Sequence, residues 1–69
     1  MDFLEAVRFA INGDPIRRVS WIADVLLRWN IDRLHWEMAI KSDGEYKWSN
    51  SDGPSPLWIL AKDWEVVLL

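Results

Sequence analysis

Six tryptophans must find a place among only 69 residues, with no cysteine to staple the chain around them. Below about 70–80 residues a single hydrophobic core rarely contributes more than ~3–5 kcal/mol, so folds of this size need reinforcement. Disulfides are excluded. His35 is the only histidine, which argues equally against a structural zinc. An unusually dense core or surface buried between identical subunits remains, and a chain that is 51% hydrophobic leaves both routes open. A homo-oligomer is expected.

Absence of cysteine suits a reducing compartment. Met1-Asp2 opens on an acid, with no basic stretch leading into an apolar run, so no secretory signal is expected. The longest apolar run, Leu57 to Ala61, is far short of the ~20 residues a membrane span needs. A net charge of −3, with signs interspersed, argues against DNA or RNA binding by phosphate neutralisation.

The clearest local signal covers residues 2–12. Asp2 and Glu5 have capping-box spacing, Phe3, Val7, Ala10 and Ile11 share a helical face, and Asn12-Gly13 supplies a stop. Ile16 to Ile22 is rich in β-branched and aromatic residues and predicts a strand. Residues 23–33 stay open between helix and strand, because Trp21, Val25 and Trp29 fit a helix face while Val25 to Trp29 also suits a strand. Leu34 to Lys41 alternates, with Leu34, Trp36, Met38 and Ile40 on one side and His35, Glu37 and Lys41 on the other. Asp43-Gly44 predicts a hairpin turn, Glu45 to Trp48 a return strand, and residues 49–56 a polar loop. Leu57 to Lys62 predicts one helical turn with Ser55 and Pro56 at its start, and Asp63 to Val67 a closing strand. The fold class is α+β: a single domain, residues 1–69, with a short N-terminal helix on a small antiparallel sheet.

An enzyme needs a positioned nucleophile, base or metal, and the inventory is thin. No catalytic residue, metal site or cofactor is expected. His35 and Glu37 share a strand face, but both are expected to face solvent opposite Trp36 and Met38. The tryptophans are the informative excess, since a base stacks on an indole for ~1–3 kcal/mol. Core filling is the competing reading for each. Trp36 and Trp64 fall within apolar patterns and read as core. Trp21, beside Arg17 and Arg18, and Trp48, at the mouth of the polar loop with Asn50 and Asp52, are the candidate ligand contacts. Arg17 and Arg18 point to opposite faces of a regular strand, so one can project beside Trp21 and grip a phosphate.

Three segments carry a family resemblance. Phe3-Leu4-Glu5-Ala6-Val7, Gly13 and Ile16-Arg17-Arg18-Val19-Ser20-Trp21 open the chain; Met38 to Gly44, followed by Trp48, form its middle; Ile59-Leu60-Ala61-Lys62-Asp63-Trp64-Glu65-Val66-Val67 close it. Together they resemble the Thoeris anti-defence 2 proteins of bacteriophages, which are sponges for immune signalling nucleotides. The resemblance implies a helix followed by an antiparallel sheet, with strand rather than helix at Val25 to Trp29, assembled as a homo-oligomer, commonly a tetramer of paired dimers. It implies capture of glycocyclic ADP-ribose signals in the host bacterial cytoplasm, with pockets between subunits; some relatives hold cyclic dinucleotides. Arg18 and Trp21 match the family's arginine–tryptophan spacing, Trp48 a tryptophan before the closing loop, and Asp63 and Trp64 positions of structural character. Trp58 departs from the pattern, standing where many relatives carry an aspartate. The stretch between Trp21 and Met38 is also shorter than in many members, and the loop before Leu57 longer. The alternative is a protein-interaction module that inhibits a host factor through its aromatic surface.

Overall fold

The computed structural model describes residues 1–21 and 24–68. Helix α1 spans Phe3–Ile11. Its expected capping box is formed: Asp2 Oδ1 accepts the Glu5 backbone N–H at 2.8 Å, and Glu5 Oε1 accepts that of Asp2 at 3.4 Å. Gly13, at φ +96°, provides the left-handed residue that ends the helix. Ala6 and Ala10 are fully buried, and their small side chains let the helix sit close on the sheet.

Five strands follow: β1 (Ile16–Arg18), β2 (Val25–Asn30), β3 (His35–Ser42), β4 (Glu45–Ser51) and, after helix α2 (Pro56–Leu60), β5 (Trp64–Val66). They form one antiparallel sheet in the order β4-β3-β2-β1-β5. One cross-strand row, Val66–Ile16–Leu27–Met38–Ser49, faces α1. Ile16, Leu27 and Trp64 join Ala6 and Ala10 in the core there, and Phe3, Trp21, Trp29, Trp36 and Trp58 pack around them. The α+β expectation holds, with both helices on one side of the sheet.

Several boundaries differ from the sequence reading. The first strand stops at Arg18, because Trp21 turns back to donate its backbone N–H to the Arg18 carbonyl at 3.1 Å; the predicted end at Ile22 lies outside the described residues. Residues 25–30 are strand, which answers the open choice between helix and strand for that part of the chain. Leu34, expected to open the third strand, instead sits at φ 54° in the β2–β3 turn and is 70% exposed. Asn30 drives that turn, its Oδ1 accepting the backbone N–H groups of Asp32 and Arg33 at 3.0 and 3.1 Å. Ile40 lies on the helix side as expected, but 58% exposed. Strand β4 runs on through Ser51, into the stretch expected to be loop, while β5 is shorter than predicted. Helix α2 is one turn, capped by Ser55 and opened by Pro56 as the sequence suggested. Among the described residues no helix is long and apolar enough to cross a membrane.

Candidate functional site: the helix-free face of the sheet

The six candidate residues do not converge on one pocket. Arg18 and Trp21 lie on the helix side. The Arg18 Nε donates to Asp63 Oδ1 at 2.8 Å, and the Ser20 backbone N–H donates to Asp63 Oδ2 at 3.2 Å. The hydrogen bond from Arg18, helped by those from Ser20, holds the Asp63 carboxyl down at about 2, although burial works against it. The Trp21 ring packs edge-on against Trp58, with centroids 5.0 Å apart, and against Trp64 at 5.6 Å. Trp64 Nε1 donates to the Trp58 carbonyl at 2.9 Å, satisfying the one polar atom of a residue that is 1% exposed. Trp58 is therefore an indole in this cluster, and Asp63 and Trp64 are each held there by side-chain hydrogen bonds.

Arg17 points the other way, as alternation requires. Its Nη2 donates to the Trp21 carbonyl at 2.8 Å and its Nε lies 3.4 Å from Glu65 Oε1. The Ile16↔Leu27 register sets Arg17 beside Leu26, in a row that runs Glu65–Arg17–Leu26–Ala39–Trp48 across the side of the sheet that carries neither helix. Arg28, Glu37 and Asn50 form the next row. The Arg28 Nε donates to Glu37 Oε1 at 2.8 Å, and the guanidinium carbon sits 3.8 Å from the Trp48 ring centroid. The Arg28 hydrogen bond is the chief cause of the lowered Glu37 pKa, with burial opposing it. His35 Nε2 lies 3.7 Å from Glu37 Oε2, too far for a hydrogen bond, and has no partner among the described residues. The sequence reading put His35 and Glu37 on the side opposite Trp36 and Met38, which is correct, but both are half-buried rather than solvated.

Trp48 and Asn50 thus share the helix-free face, with Arg17 farther along the Trp48 row; Asp52 is exposed just beyond the end of β4. Arg28 was not among the sequence candidates. Its partners lie across strands, so the signal appears only once the β2–β3 register sets Arg28 opposite Glu37. Depressions among the described residues include one of about 310 Å³ beside Glu5 and Phe9, one of about 340 Å³ between α1 and α2, and one of about 270 Å³ lined by Gly13 and residues 28–32. None is lined by the six candidates, and the last includes Arg28. Among the described residues no group of three His, Cys, Asp or Glu side chains is placed to hold a metal ion. No protein-family model, curated protein or solved structure matches the chain.

Proposed function

We propose that this protein is a non-catalytic sponge of the host bacterial cytoplasm, which binds an immune signalling nucleotide and releases it chemically unchanged. The observation that carries the reading is the Arg28 guanidinium over Trp48 on the helix-free face. A base stacks on the indole by displacing or sharing the guanidinium, and the arginine offers a forked donor to a phosphate. The Arg28 Nε is committed to Glu37, which fixes the guanidinium plane; among the described residues its terminal nitrogens make no hydrogen bond. Glycocyclic ADP-ribose and cyclic dinucleotides both combine stackable bases with phosphates, and the resemblance in sequence points to the same ligands. Arg18 and Trp21, tied to Asp63 and to Trp58 and Trp64, support the fold beneath the face.

The alternative, a module that blocks a host protein, has its own observation in the α1–α2 groove, where Leu4 is 65% and Leu60 76% exposed. Calorimetry with glycocyclic ADP-ribose and with a cyclic dinucleotide separates the two readings. A sponge binds at least one of them, and mass spectrometry recovers that ligand intact after heating. Trp48→Ala is expected to stay folded and to bind about 5- to 150-fold more weakly, the worth of one stacked base. Binding of neither nucleotide, recovery of an altered one, or unchanged affinity in Trp48→Ala would overturn the proposal.

A further inference from the structure

The two edges of the sheet are finished differently. The β5 edge is closed by the chain itself: the Met1 amino group donates to the Trp64 carbonyl at 2.9 Å, and Trp64 N–H donates back to the Met1 carbonyl at 3.0 Å. At the other edge, β4 presents seven residues of strand in unbroken register with β3, from Ser42↔Glu45 to Trp36↔Ser51. It contains no proline and no bulge, two of the devices by which natural edges refuse a further strand. Asp43 and Gly44, both at positive φ, make the two-residue turn that joins the strands. The pair closing such a turn exchanges its hydrogen bonds, so Glu45 and every second residue after it point their backbone groups at β3. Tyr46, Trp48 and Asn50 therefore point theirs outward, away from the sheet.

We infer that the β4 edge is a pairing surface for a second copy of this chain, joined antiparallel about a two-fold axis at Trp48. That register alone uses all seven residues. It sets Glu45 opposite Ser51, Tyr46 opposite Asn50, Lys47 opposite Ser49 and Trp48 opposite its own twin, with no like charges directly facing. The outward-pointing residues then exchange about six backbone hydrogen bonds. Shifting the strands by one outward pair toward the turn sets Lys47 against Lys47, which disfavours the slip. An unrelated strand has no reason to match this pattern; an identical one matches it by symmetry. The pairing carries one sheet through both copies and places two Arg28–Trp48 stacks side by side on the helix-free face. It rests on backbone geometry and stands whether or not that face takes a nucleotide.

The test is sedimentation equilibrium of the full chain without nucleotide, with circular dichroism as a check on folding. The wild type is expected to contain the two-copy species. Asn50→Pro removes an outward N–H and is expected to weaken association at least about a hundred-fold, since proline is tolerated at an edge but cannot donate to a new strand. Ser49→Lys, which faces Lys47 of the second copy, is expected to weaken it about five-fold, and Ser49→Glu to strengthen it by a similar factor. These two keep the proposal exposed if the proline variant fails to fold. A monomer at all concentrations overturns the inference, as does an oligomer that responds equally to both charges at residue 49. A monomer that binds nucleotide removes this inference alone; a dimer that binds none removes only the functional proposal.

Discussion

The chain builds the same chemical unit twice, on opposite sides of the sheet. On the helix side Arg18 bridges to Asp63 at 2.8 Å, and its carbonyl accepts the Trp21 backbone N–H; on the other side Arg28 bridges to Glu37 at 2.8 Å with Trp48 beneath its guanidinium. The difference lies in what surrounds them. Trp21 is wedged edge-on between Trp58 and Trp64. Trp48 has the arginine on one face, and neither helix lies on its side of the sheet. The same residue types are thus packed among indoles on the helix side, and lie half-buried with neither helix over them on the other.

The largest effect should come from the enclosed unit. Trp64→Ala removes a side chain that is 1% exposed, together with the neighbour of Phe3 and Trp21. Truncations of this kind cost ~3–5 kcal/mol, a large share of what a domain this size has. The variant is expected to lose its near-ultraviolet dichroism at room temperature. A variant that melts close to the wild type would show that the helix side is not the stabilising half, and the comparison would fail at its root.

Acid titration sharpens the contrast further. Asp63 titrates at about 2 in the folded chain, against an ordinary value of 3.8. Its folded value is depressed, so the stability it contributes is present above about pH 4 and is lost as pH falls through about 2. In urea unfolding between pH 2 and 6, Asp63→Asn should lie below the wild type at the upper end and approach it at the lower. Glu37→Gln should show the same sign with a smaller gap, since the Glu37 pKa is lowered without so large a displacement. A larger gap for Glu37→Gln would reverse the assignment of the two bridges.

How much of this was legible in the sequence follows the range of the interaction responsible. The α1 cap, the Gly13 stop, the Asp43-Gly44 turn and the Ser55-Pro56 start of α2 are local devices, and each stands where the residues indicated. The alternation of β3 runs through Leu34 unchanged, so the sequence pattern extends the strand one residue too far; its φ of 54° and its exposure place it in the turn. Arg17 and Arg18 were assigned opposite faces correctly, since alternation is local, but which face α1 covers depends on packing that no single strand encodes. The proposed site follows the same rule: Trp48 and Asn50 stand beside a loop that the sequence marks, whereas Arg28 meets them through cross-strand contacts and carries no local signal of its own.

The smallest effect is the most telling about the open face. A guanidinium over an exposed indole is worth ~0.5–1 kcal/mol, against ~2 or more when the pair is removed from water. A double-mutant cycle of Trp48→Ala and Arg28→Ala, read by urea unfolding, isolates that coupling from the Arg28–Glu37 bridge and from general loss of surface. The expected coupling is ~0.5–1 kcal/mol. A value of ~2 kcal/mol or more would mean that the stack is sealed like the cluster around Trp21, leaving a base no low-cost way to enter. No measurable coupling would mean that the arginine does not rest on the ring in solution. Between those limits the stack is strong enough to hold the guanidinium in place and weak enough for a nucleotide to displace or share it, which is the balance a reversible stacking site requires.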